Sequence, residues 1–210
     1  MRVVYDKKTK VVERTIPNNY VIRDDSKGVA EVAEGSLTKP LKYYKIVDDG
    51  LVFDEELYIS STKKRLLKDL TTVYVDVYLD IPTHIDNSIG SKEQVEVYKL
   101  KYDRAVANDV AFFKAEAGAL GITAEKLLTI VKATGDKYKA VYDSMIGILE
   151  MIRVSGSKLI NAGKFDLGDR AIMYLSGNQD KFNTVTYEDF LDKVTDGKTI
   201  TQVLTPPKES

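Results

Sequence analysis

The hydrophobic period of this chain changes once, near Ser60, and that single change restricts the folds open to it. Before it, short apolar runs are punctuated by turn residues. After it, apolar residues recur at three- and four-residue spacing. Strands followed by helices, with no alternation between them, do not build parallel βαβ units. The expected class is therefore α+β: a small N-terminal antiparallel β module followed by a larger α-helical, bundle-like module. The pattern places the β module with two hairpins at residues 1–57 and the helical module at 58–195. A polar stretch at 196–210, ending Pro206-Pro207-Lys208-Glu209-Ser210, is expected to be an extended or flexible tail.

Within the β module, Val3-Val4-Tyr5 and Val11-Val12 flank the polar Asp6-Lys7-Lys8-Thr9-Lys10, which reads as a hairpin. Pro17-Asn18-Asn19 is a turn signal before Tyr20-Val21-Ile22. The stretch from Asp24 to Pro40 has no clear period and reads as loop. A second hairpin is expected across Tyr43–Phe53. There Asp49-Gly50 suits a type I′ turn, because both residues tolerate positive φ.

Beyond Ser60, Leu66, Leu70, Val73, Val77 and Ile81 form a helical stripe. Residues 73–81 also alternate as a strand would, with β-branched valines. The Leu- and Lys-rich start favours helix, and Pro82 is expected to end the element either way. Ser91 and Gln94 have capping-box form. They predict one long helix burying Val95, Tyr98, Tyr102, Ala105, Val106, Val110, Phe113 and Ala117, closed by Gly118 and Gly121. Thr123 would cap a third helix stopped by Gly135. A fourth, from Asp136, would bury Tyr138, Tyr142, Met145, Leu149 and Ile152, with Gly147 admitting a close neighbour. Asp166 would cap a fifth helix, and Thr186 a sixth burying Phe190, Leu191 and Val194.

Lys+Arg (31) and Asp+Glu (32) nearly cancel, which disfavours a phosphate-gripping role; no nucleic-acid partner is expected. Both basic runs, Lys7-Lys8-Thr9-Lys10 and Lys63-Lys64-Arg65, have acids nearby. With no cysteine, the chain has no disulfide, thiolate ligand or Cys nucleophile. His84 is the sole histidine, and no G-x-S-x-G elbow accompanies it. Neither phosphate-loop pattern occurs; Gly156-Ser157-Lys158 and Gly163-Lys164 read as helix-end turns. A Ca²⁺ loop centred on Gly50 fails, because Lys45 would hold its first ligand position. No apolar run is long enough to span a membrane, and none at the start has signal-peptide length. The expectation is of no catalytic machinery, no cofactor, no metal, no enzyme activity and no membrane partner.

What stands out is aromatic balance: 13 Tyr, 6 Phe and no Trp. Tyrosine is enriched at protein–protein interfaces. The candidate interaction residues are Tyr44, Asp49, Gly50 and Phe53 on the second hairpin, with Tyr138 and Tyr142 on the fourth helix. Tyr138, Val141, Met145, Ile148 and Ile152 also fit a/d spacing, compatible with self-association, although the run breaks at Ser155 as in an ordinary bundle helix.

The segments VVYDKKTKVV and YYKIVDDGLVF resemble small β modules that begin many bacteriophage tail and tail-fibre-associated proteins. SKEQVEVYKLKYDRAVA, with LGITAEKLLTIVKATGDKYKAVYDSMIGILEMIRVSGSKLINAG, is similar to helical segments of phage tail accessory or fibre-assembly proteins. The resemblance lies in element order over residues 1–20 and 91–165 and brings no catalytic residues with it. It implies a non-enzymatic structural or adaptor protein of a phage virion (tail, baseplate or fibre attachment), assembled in the host cytoplasm. Such a protein would contact other virion proteins, as a homo-oligomer. The alternative is a soluble regulatory protein-binding module of phage or bacterial origin.

Overall fold

The computed structural model describes residues 1–17, 19–86 and 92–205, with the backbone alone at 83–86 and 92–95. The chain is α+β and divides into two compact units, Met1–Arg65 and Leu66–Ser210.

The first unit holds β1 (Arg2–Asp6), β2 (Val12–Ile16), β3 (Lys27–Glu31), β4 (Tyr44–Val47) and β5 (Gly50–Phe53). They form an antiparallel sheet in the order β2-β1-β3 and a β4-β5 hairpin. In the expected first hairpin, the Asp6 carboxylate accepts the N–H groups of Lys8 (3.0 Å) and Thr9 (2.8 Å). Lys27 closes the same turn, 3.2 Å from Asp6 and 2.6 Å from Glu13. Chiefly the Thr9 N–H, then Lys27, hold the Asp6 carboxyl down at about 2. The core cluster of this unit is Val3, Val12, Val32, Tyr44 and Ile46, drawn from both hairpins and the chain after β3. Of the Pro17-Asn18-Asn19 turn, Asn18 lies outside the described residues.

Two expectations fail here. First, β3 lies inside the stretch 24–40 that reads as loop. Lys27-Gly28-Val29-Ala30-Glu31 is too short and mixed to show a period, and long-range pairing with β1 makes it a strand. Gly28 permits that pairing: a Cβ there would lie 2.2 Å from Cζ of Tyr5. Second, the hairpin turn is Asp48-Asp49, not Asp49-Gly50. Both aspartates have positive φ (48° and 61°), and Val47 pairs with Gly50. Aspartate visits the left-handed region often enough to fill both central positions.

Helix α1 runs from Glu55 to Asp86. It starts earlier than the stripe implies, because the Asp54 carboxylate accepts the Leu57 N–H at 2.9 Å. The ambiguous 73–81 stretch is helical, and Pro82 does not end it. Val77 and Ile81 are completely buried, and that burial outweighs the one backbone bond the proline removes.

The second unit adds α2 (Lys92–Val106), α3 (Val110–Ala119), α4 (Ala124–Asn161), α5 (Phe165–Gly177), α6 (Tyr187–Thr195) and α7 (Ile200–Leu204). The single long helix expected over 91–117 is two. Asn108 turns the chain at φ 57°, and Asp109 accepts the Phe112 N–H at 3.2 Å to start α3. Of its expected buried face, Ala105, Phe113 and Ala117 are buried, whereas Tyr98 and Val106 are exposed. Ser91 lies outside the described residues. Thr123 caps α4 through the Lys126 N–H at 3.2 Å. Gly135 does not stop that helix; it leaves space for the Tyr102 ring, whose Cδ2 would lie 2.0 Å from a Cβ. Gly147 faces open space; helices approach instead at Gly156, against Leu70 and Ala171, and at Gly168, against Ile160.

Gly156-Ser157-Lys158 accordingly lies inside α4, while Gly163-Lys164 is the helix-end turn. Gly163, at φ 75°, donates to Ile160 and Lys164 donates to Leu159, the paired bonds of a Schellman end. Asp166 stands in the first turn of α5 behind Lys164 rather than at the cap. Thr186 caps α6, as expected. In the stretch expected to be extended, Thr199 and Gln202 form a capping box for α7, and Ile200 is buried. Pro206–Ser210 lie outside the described residues. The main core gathers Leu66, Leu70, Leu149, Ile152, Leu175 and Phe190. A satellite core holds Ala105, Phe113, Ala117, Leu127 and Leu128.

Candidate functional site

Four of the six expected interaction residues converge on one groove of the first unit. Tyr44, Asp49, Gly50 and Phe53 line a cleft of about 540 Å³ whose opposite wall is the stretch 31–39. Tyr44 is buried and works as an anchor rather than as an exposed contact. Its hydroxyl accepts the N–H groups of Thr38 (2.9 Å) and Lys39 (3.2 Å), fastening that wall to β4. The hydrogen bond with the Thr38 side chain leads the causes that lower its pKa. Phe53 is half-buried and packs on Tyr44 and Tyr58, while Asp49 and Gly50 are exposed.

The other two, Tyr138 and Tyr142, lie on α4 and line a second groove with Tyr98 and Tyr102 of α2. This cleft measures about 220 Å³. Gly135 sets its shape by letting Tyr102 lie flat on α4, where the Tyr102 hydroxyl donates to Asp136 at 2.7 Å. That bond, more than burial, raises the Tyr102 pKa. Tyr98 is 50% exposed at the rim. Lys99 and Lys139 stand at the edges, paired with Glu96 (3.7 Å) and Asp143 (2.5 Å).

A third tyrosine pair, Tyr74 and Tyr78 of α1, extends the aromatic surface, and sequence reasoning missed its role. The Tyr142 pKa is raised first by burial and then by the neighbouring Tyr78 hydroxyl. Tyr74 stacks near Tyr78 and donates to Glu150, which accepts Nε (2.9 Å) and Nη2 (2.8 Å) of Arg153. The bond to Glu150, with burial, pushes the Tyr74 phenol up to about 12. Arg153, then Tyr74, hold the Glu150 carboxyl below its usual range. A detectable signal existed: 74/78, 98/102 and 138/142 are all tyrosine pairs at four-residue helical spacing.

A further cleft of about 630 Å³ lies between α5 and α6, lined by Arg170, Met173, Tyr174, Lys181, Asp189 and Lys193. Tyr174 donates to Asp189 at 2.7 Å, and burial first, then that bond, raises its pKa. The His84 side chain lies outside the described residues. No helix is long and apolar enough among the described residues to cross a membrane. No protein-family model, curated protein sequence or solved structure matches the chain.

Proposed function

We propose that the protein is a non-enzymatic structural or adaptor component that works through protein–protein contacts. The assembly suggested by the sequence resemblance is a phage virion, at the tail, baseplate or fibre attachment. The observation that carries this reading is the tyrosine groove of α2 and α4. Tyrosine supplies large contact area with little side-chain freedom to lose, and it anchors protein interfaces. Here Tyr98, Tyr102, Tyr138 and Tyr142 present rings around one cleft. The ionisable groups beside them, Asp136 and Asp143, are occupied in local bonds. The edges of the β unit offer a second surface of contact.

Size-exclusion chromatography with light scattering, together with co-purification against virion proteins, tests the proposal. The expected result is an oligomer, or a stable complex with a virion protein, that Tyr98→Ala weakens. A monomer that joins no particle and no complex would remove the reading.

A further inference from the structure

The two-stranded β4-β5 hairpin pairs Val47 with Gly50 and Lys45 with Val52. Alternation then turns the backbone N–H and C=O of Leu51 and Phe53 outward, away from β4. Ile46, in the same phase on β4, uses its outward N–H on the Lys10 carbonyl at 2.9 Å. Leu51 and Phe53 have no such partner among the described residues. Their unpaired edge runs along the groove of about 540 Å³ already described, whose apolar lining includes Val32, Leu51 and Phe53. Proline and bulges are common guards of a free edge, and β5 has neither.

Acidic groups stand at both ends of this edge; Lys39, on the opposite wall of the groove, lies over the Tyr58 ring, 5.1 Å from its centroid. Asp48 and Asp49 stand at the turn, and Glu55 and Glu56 lie beyond Phe53. None of these four has an ion-pair partner among the described residues, whereas Asp54 is held by Lys45 at 2.5 Å. A second copy is a poor occupant. Two-fold pairing about Val52 would bring the acidic turn of each copy onto Glu55 and Glu56 of the other, and like charges across strands are destabilising.

We propose that the β5 edge takes an extended segment of a partner protein as an added strand, apolar at alternate positions and basic at its ends. Main-chain bonds to Leu51 and Phe53 set its register, and the groove accepts its apolar side chains. The terminal Lys or Arg residues meet Asp48-Asp49 and Glu55-Glu56. This deepens the contact-protein reading and rests on it.

The test uses isotope-labelled intact protein and two synthetic probes, alternating Thr-Val peptides ending in lysine or in glutamate. In NMR titrations the lysine-ended peptide is expected to shift the amides of Gly50–Phe53. It should protect Leu51 and Phe53 from exchange and weaken as salt rises. The glutamate-ended peptide should bind several-fold more weakly. Leu51→Pro removes the outward N–H together with the Leu51 side chain of the groove, and should abolish the effect. Asp48→Asn with Asp49→Asn keeps residues suited to the turn and should weaken lysine-peptide binding several-fold, which covers the case in which the proline variant misfolds. Shifts elsewhere, no shifts, equal binding of both peptides, or concentration-dependent shifts without peptide would each overturn the proposal. A protein found in particles whose β5 edge ignores the lysine peptide loses this inference alone, leaving the contact-protein reading standing.

Discussion

At the scale of single residues, glycine and tyrosine set most of the packing. Gly147 and Gly168 are both helical, yet the same substitution should act in opposite directions. At Gly147 an added Cβ meets nothing within 4 Å, so Gly147→Ala should stabilise by about 1 kcal/mol through helix propensity. At Gly168 it would lie 2.4 Å from Cγ1 of the fully buried Ile160. Gly168→Ala should therefore destabilise, by about 1–3 kcal/mol for overpacking less the propensity gain. Urea denaturation of both variants checks the pair. Gly147 looks like the close approach in the sequence and Gly168 is the close approach in the fold, because a glycine shows no neighbour until the fold supplies one. Tyr74 makes a pH prediction. Its folded pKa of about 12 lies above the usual 10.0, so its bond to Glu150 stabilises fully below pH 10 and is lost as pH climbs toward 12. Glu150 has the opposite sign: its depressed pKa contributes stability that is lost as pH falls into the acid range. Tyr74→Phe should flatten the alkaline stability loss and remove one late-titrating phenol from the ultraviolet titration.

At the scale of elements, caps and turns were legible where the side chain itself makes the bond. Thr123, Thr186 and the Asp6 turn all stand where their residue types imply. Element ends marked by glycine or proline were legible in part: Gly121 and Gly163, both at positive φ, close α3 and α4 as their type implies, but two other markers misled. Pro82 and Gly135 sit inside helices because Ile81 is buried in the core and the Tyr102 ring fills the space over Gly135. Neither contact is written in the local sequence. The break between α2 and α3 was missed for the converse reason. A continuous apolar stripe runs through Ala105, Val110 and Phe113, and only the left-handed Asn108 and the Asp109 cap interrupt it. Asp109→Ala should accordingly cost about 0.5–2 kcal/mol, the usual value of such a cap, and fray the start of α3. Circular dichroism melts and hydrogen exchange at Phe112, whose N–H the carboxylate accepts, would show it.

At the scale of the whole molecule, the α+β class followed from one change of hydrophobic period. The candidate surfaces were half legible. Residue type and position picked out Tyr138, Tyr142 and the second hairpin, but not the walls that make grooves of them. The stretch 31–39 faces β5 only because Tyr44 fastens it, and Tyr98 and Tyr102 reach α4 only across the α2–α3 break. Joined to the resemblance, these surfaces support a protein whose work is contact within an assembly. Truncating Tyr98 to alanine should lower incorporation into that assembly while leaving the far-ultraviolet circular dichroism unchanged, since its ring lines the groove and is half exposed. The most direct measurement is quantitative mass spectrometry of purified virus particles from the source of this sequence. The account predicts this chain in those particles at a fixed ratio to a tail, baseplate or fibre protein. Its presence only in the soluble host fraction, with none in particles, would contradict it.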